Sequence, residues 1–210
     1  MGLAGARSAA RRRFDALLRR APCDAQGMAQ ITARQIYILP TAMGVAQGLV
    51  LTLMLLGSLN YQNNLGLMFT FMLAAVALVA MHHTWFTLLG LRARARGGPP
   101  VFAGQRASFA VDLHNDRRGP RGDLVVRAGD EGHPPVLLTG HDLARVQVGL
   151  TTGRRGWLRL PEVRIDTRYP LGLFRAWCYA STDARVLVYP SPAARAPDLP
   201  LAPARRLGPE

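Results

Sequence analysis

The chain has 210 residues and carries 26 basic against 13 acidic side chains, a formal net charge of +13, and every basic residue is an arginine. The 49% apolar share hides an uneven distribution: the 57 residues between Arg34 and Arg92 contain no Asp, Glu, Lys or Arg. So long an uncharged run argues against a wholly soluble protein and against disorder over that stretch, and two cysteines with no CxxC spacing, Cys23 and Cys178, exclude a disulfide framework or a Cys-based zinc site.

Residues 1–34 form a basic segment. Within it Ala6 to Arg20 sets Phe14, Leu17 and Leu18 among six arginines. It reads either as an amphipathic helix on an anionic leaflet or as a tail whose arginines only set topology.

Residues 35–91 read as a transmembrane helical hairpin. Ile36 to Leu59 is rich in Leu, Val and Met, and its 24 residues reach about 36 Å as a helix, enough for a hydrocarbon core of roughly 30 Å. Pro40 falls in the first turn, where a missing N–H costs little. Asn60 to Asn64 make a polar turn with Tyr61 at headgroup level, and a second span runs from Leu65 to about Leu89. A cleaved signal peptide is disfavoured: the apolar part is too long, starts too far from the terminus and is followed by another span. Arginines precede the first helix and follow the second, while the turn has none. The positive-inside rule therefore places both termini on the cytoplasmic side of the membrane and the hairpin tip at the periplasmic or exterior face.

From Gly97 the hydrophobic period changes to two. Ser108 to Leu113 and Ala144 to Leu150 alternate as half-buried strands, and further strands are expected at 123–128, 135–138, 157–160, 163–167, 174–179 and 185–189. Gly-, Pro- and Asn-rich turns separate them, so residues 98–190 are expected to form a small cytoplasmic, antiparallel β-sandwich-like domain. Arg92 to Gly97 reads as a short tether holding it at the membrane. Residues 191–210 are Pro-, Ala- and Arg-rich and read as a disordered tail or linker. The fold class is α+β.

No nucleophile elbow, P-loop or dinucleotide fingerprint occurs, and the acids are scattered singly, so an enzyme is not expected, nor a metal or organic cofactor. His82 and His83 are adjacent and on a helix point about 100° apart, which prevents them from chelating one ion. Residues 92–210 hold 19 arginines against 11 acids, net +8, and Arg154-Arg155 beside Trp157 pairs phosphate contacts with a stacking surface. Those arginines are spread over many turns, so no specific nucleic acid is expected, and a cytoplasmic-face nucleic-acid or anionic-lipid binding module is the alternative. Arg154, Arg155, Trp157, Arg175 and Trp177 are the candidate partner surface, with core packing favoured for Trp177. Gly44 and Gly48 make a Gly-x-x-x-Gly spacing that lets helices approach, inside the hairpin or between copies in a homo-oligomer.

The ordered words Tyr37-Ile38-Leu39-Pro40-Thr41, Asn60-Tyr61-Gln62-Asn63-Asn64-Leu65-Gly66, Thr70-Phe71, His83-Thr84, Arg155-Gly156-Trp157, Tyr169-Pro170-Leu171-Gly172-Leu173-Phe174-Arg175-Ala176-Trp177 and Val188-Tyr189-Pro190 together resemble the bacterial domain of unknown function 58 family, over roughly three-quarters of the chain. The resemblance implies a two-helix anchor, a small β-domain and a downstream von Willebrand A-like domain. It also implies genes beside those for MoxR-type AAA ATPases and transglutaminase-like membrane proteins, hence a non-catalytic membrane-anchored scaffold or adaptor with such partners. Two departures stand out. Ala42 occupies a position where the family pattern has an arginine, and the family's Tyr-x-Pro-Gly-Asp/Glu segment would lie beyond Glu210. The chain is accordingly expected to be a truncated reading frame or a natural short form.

Overall fold

The computed structural model describes residues 20–192 except 25, 129, 130 and 161. The expectations for the N-terminal arginine-rich segment up to residue 19 and for the tail from residue 193 lie outside the described residues.

Two helices stand among mostly antiparallel strands. Strand β1 (Met28–Gln30), a 3-10 turn (Ala33–Gln35) and β2 (Tyr37–Pro40) lead into helix α1 (Ala42–Asn60), and α2 (Asn64–Leu88) returns. Eleven strands follow: β3 (Arg92–Gly97), β4 (Val101–Phe102), β5 (Arg106–His114), β6 (Arg121–Ala128), β7 (Glu131–Gly132), β8 (Val136–Leu138), β9 (Leu143–Thr151), β10 (Gly156–Arg159), β11 (Glu162–Thr167), β12 (Phe174–Ser181) and β13 (Arg185–Tyr189). All eight strands expected from the period of two are present.

The first helix starts at Ala42, six residues later than expected, because Tyr37–Pro40 pairs with β12 instead, Tyr37 opposite Trp177 and Pro40 opposite Phe174. Pro40 lacks an N–H and suits this strand at the sheet edge. The helix then begins where Thr41 caps it, its Oγ accepting from the Gly44 N–H at 3.2 Å. The remaining 19 residues span about 28 Å, close to the hydrocarbon thickness. At the tip Gln62 adopts φ 51°, and Asn63 caps α2 by accepting from the Gly66 N–H at 3.1 Å.

Arg92–Gly97, expected as a tether, is itself a strand: it pairs along β5, with Ala93 buried and Ala95 packed beneath it while the arginines between them point outward. The β-structure is thus fed from both flanks of the hairpin, since β1 pairs with β3. The sheet orders are β1-β3-β5-β9, β10-β13-β4, and β2-β12-β11-β6-β7 with β8 beside β6. Among the described strand pairs, β13 with β4 runs parallel and the rest antiparallel. Phe109, Val111 and Leu113 of β5, Val146 of β9, Leu124 and Val126 of β6, Val163 and Ile165 of β11 and Ala176 and Cys178 of β12 share one buried apolar cluster between the sheets. At about 25 cal/mol per Å2 of apolar surface, this burial is the main force closing the sheets on each other.

The helices differ from the strands in having no such cover. No residue of α1 is buried, and Leu49, Leu53 and Leu56 are each about 60% exposed; α2 buries only Thr70, Ala80, Thr84, Thr87 and Leu88. The last three of these lie at the end that meets the sheets.

Candidate functional site

The junction between helices and sheets is built by polar groups reaching helix ends. Arg121, only 2% exposed, donates from Nε to Asn115 Oδ1 at 2.7 Å, from Nη1 to the Thr87 carbonyl and from Nη2 to the Leu89 carbonyl at 3.0 Å. These carbonyls have no partner within the helix, and a cation there opposes the negative end of the helix dipole. Burial, with Arg117 alongside, pulls the Arg121 pKa below the usual guanidinium value to about 10, which leaves it cationic at neutral pH. Arg117 donates to the Phe86 carbonyl at 3.3 Å and lies over the Phe86 ring at 4.1 Å. Gly90, at φ +70°, turns the chain out of the helix into β3.

The loop from Tyr169 to Phe174 meets the start of α1 and the end of α2. Thr84 Oγ1 donates to the Tyr169 carbonyl at 2.8 Å, and Thr41 donates from its backbone N–H to the Leu173 carbonyl at 2.8 Å and from Oγ1 to the Gly172 carbonyl at 2.6 Å. A Cβ at Gly44 would fall 2.1 Å from that Leu173 carbonyl oxygen, whereas one at Gly48 would meet nothing within 4 Å. The close approach that Gly44 allows is therefore to this loop of its own chain.

Beside the loop lies the outer face of the six-stranded sheet. Period two sends Val163, Ile165 and Thr167 inward, so Arg164 and Asp166 face out. Register sets Arg164 opposite Tyr179 and Arg127, and Asp166 opposite Trp177. Asp166 is 4% exposed and sits among three arginines: Arg175 Nε at 3.0 Å, Arg127 Nε at 3.2 Å and Arg164 Nε at 3.7 Å. Arg164 lies over the rings of Trp177 at 5.3 Å and Tyr179 at 5.7 Å, and Tyr37 stacks on Trp177 at 5.9 Å. A parallel arrangement holds Asp112 on the other sheet between Arg145, at 2.7 Å, and Arg96, at 3.3 Å. Five arginines thus converge on two buried carboxylates.

Between this face and the start of α1 runs a groove of about 510 Å3. Leu39, Pro40, Ala42 and Met43 form its apolar wall, and Arg164, Arg168, Arg175 and Trp177 form the other. A second hollow, of about 660 Å3, lies on the far flank of Asp166 and includes Asp123, Arg127, His133 and Arg168. The acid-free lining of the first groove suits an anion next to an apolar group.

The expected partner surface is divided by the fold. Arg175 and Trp177 belong to the groove, and Trp177 is only 8% exposed, buried under Arg164 and Tyr37 on the outer face and not between the sheets. Arg154, Arg155 and Trp157 lie at the exposed turn into β10, in a different sheet, with Trp157 68% exposed. Sequence reasoning missed Arg164, Arg168 and Tyr37; outward parity on strands signalled Arg164 and Tyr37, and nothing local signalled Arg168 in the turn after β11. His82 stacks on Phe86 at 6.0 Å. Among the described residues no group of three or more His, Cys, Asp or Glu is placed to hold a metal ion.

No family description matches the chain, and no curated protein matches it. One similar solved structure is the CARDB domain of the PF1109 protein from Pyrococcus furiosus, a complex with di-metal ions. It shares 14% identity, covering 48% of this chain and 94% of that one, with a TM-score of 0.28. So low a score carries no argument about the metal or the function of this chain.

Proposed function

We propose that this chain is a non-catalytic, membrane-anchored scaffold or adaptor of the domain of unknown function 58 type, which holds a small β-domain against the cytoplasmic face of a bacterial inner membrane. The observation that carries the reading is the contrast between the helices and the strands. Both helices are long and apolar enough to cross a bilayer, and no residue of α1 is buried: away from its contact with α2, Leu49, Leu53 and Leu56 are left exposed. Water does not tolerate contiguous apolar surface on that scale, and lipid does. Among the described residues the sheets meet one end of the hairpin, through Thr41, Gly44, Thr84, Thr87, Arg117 and Arg121, so the β-domain is oriented as well as tethered. The arginine distribution supports termini on the cytoplasmic side. The exposed turn with Arg154, Arg155 and Trp157 is a surface suited to a protein partner, and the resemblance points to a MoxR-type AAA ATPase and a transglutaminase-like membrane protein as partners.

Crosslinking in native membranes from a photoreactive residue placed at Trp157 tests the adaptor reading. Capture of a MoxR-type ATPase supports it. Retention of DNA or RNA at physiological salt, with no protein captured, overturns it in favour of a nucleic-acid module.

A further inference from the structure

We propose that the groove between the start of α1 and the outer sheet face binds the phosphate headgroup of an anionic phospholipid from the cytoplasmic leaflet. The inference rests on the reading of the two helices as membrane spans, and it assigns that junction a ligand.

Three observations converge. The first is charge: Arg164, Arg168 and Arg175 line the groove and no acidic residue does. The neighbouring carboxylate of Asp166 is shared by Arg127, Arg164 and Arg175, so it offsets at most one of their charges. The second is the opposite wall. Leu39 and Met43 are 56% and 65% exposed beside the arginines, an apolar flank that a soluble phosphate does not use and a lipid's glycerol and acyl stems do. The third is position: Ala42 and Met43 are the first residues of the span and also line the groove, which sets it at headgroup level. Planar guanidinium groups bind phosphate with two parallel N–H···O bonds. The indole and Arg164 brace each other at 5.3 Å, so the site is formed before the lipid arrives.

The test uses the full chain in nanodiscs of phosphatidylcholine with a minor share of phosphatidylglycerol, with retained phosphatidylglycerol counted by native mass spectrometry. A basic side chain near an anionic surface contributes enough that Arg168→Gln should reduce retention about fivefold, and Arg164→Gln with Arg168→Gln about thirtyfold. The double substitution Arg154→Gln, Arg155→Gln removes equal charge at the remote turn and should stay within about twofold of wild type. Should Arg164→Gln disturb the fold, Arg168→Gln, on an exposed side chain, decides alone. Equal losses at groove and turn, or no loss at either, overturn the proposal, as does displacement of the lipid by millimolar glycerol 3-phosphate. A chain released from membranes by alkaline carbonate overturns the spans and the lipid site together; a chain that stays embedded without selective lipid loss overturns the lipid site alone.

Discussion

Replacing Gly44 with alanine tests whether the hairpin is locked to the β-domain by the loop between β11 and β12. The new Cβ would fall 2.1 Å from the Leu173 carbonyl oxygen and 3.0 Å from its carbon. Backbone cannot rotate away as a side chain does, so α1 or the loop has to move by about 1 Å, and overpacking of this kind costs about 1–3 kcal/mol. The same displacement strains the bond from the Thr41 N–H to the Leu173 carbonyl at 2.8 Å and that from Thr41 Oγ1 to the Gly172 carbonyl at 2.6 Å, worth about 1 kcal/mol each. The gain in helix propensity on replacing glycine returns about 1 kcal/mol. With both bonds lost the net expected loss is about 2–4 kcal/mol from these terms. Gly48→Ala meets nothing within 4 Å and should be neutral or slightly stabilising. Urea unfolding of the full chain in mild detergent, followed by near-ultraviolet circular dichroism, measures both. Equal stability of the two variants would refute the docking argument. Loss of a dimer in both variants, with unfolding unchanged, would return the pair to the helix–helix contact expected from its spacing.

Four further outcomes follow from the same geometry. Arg121→Met leaves the Thr87 and Leu89 carbonyls and Asn115 without their donor and should destabilise by about 3–5 kcal/mol, against about 1 kcal/mol for the more exposed Arg117→Met, read by the same unfolding measurement. Asp166→Asn removes the carboxylate among Arg127, Arg164 and Arg175 and should cost about 3 kcal/mol, at the low end for buried ion pairs because those arginines are partly exposed; a stability within error of wild type would contradict it. Burial foremost, then Asp166, pushes the Cys178 thiol pKa up, so native chain should take up maleimide at Cys23 alone and unfolded chain at both cysteines. Hydrogen bonds from the Thr139 hydroxyl and from the Leu143 and Thr139 amides hold the Asp142 carboxyl below its ordinary pKa. A carboxylate depressed in the folded state stabilises above its unfolded pKa and loses that contribution as pH falls through the folded one. Protection of the 139–143 turn from hydrogen exchange should therefore weaken on acidification, and Asp142→Asn should abolish the dependence.

The two helices and eight of the strands were legible because each follows its own hydrophobic period. The segment before α1 was not: Ile36, Tyr37, Ile38 and Leu39 are as apolar as the helix they precede, and hydropathy does not separate a buried strand from a helix. The local signals were Pro40 and Thr41, a proline suited to a sheet edge and a threonine suited to a cap. Arg92–Gly97 was hidden by its small inward residues, Ala93 and Ala95, which carry little hydrophobic signal beside three arginines. The site was legible only in part. Arg175 and Trp177 stood in a conspicuous run, but the groove also needs Arg164 and Arg168 from β11 and its following turn and Leu39 from β2, brought together by register that no local pattern encodes. Arg121 was one arginine among 26, and its role emerged only from where its guanidinium ends. Likewise no local pattern shows that Arg154, Arg155 and Trp157 lie in a different sheet from Arg175 and Trp177.

The central claim, an inner-membrane hairpin with its β-domain on the cytoplasmic face, is tested most directly by alkaline phosphatase fusions, since that enzyme folds to activity only outside the cytoplasm. A fusion at Asn63, in the turn between the helices, should be active, and one after Pro192, just past β13, should be inactive. The opposite pair of activities, or activity at neither position, would contradict the account.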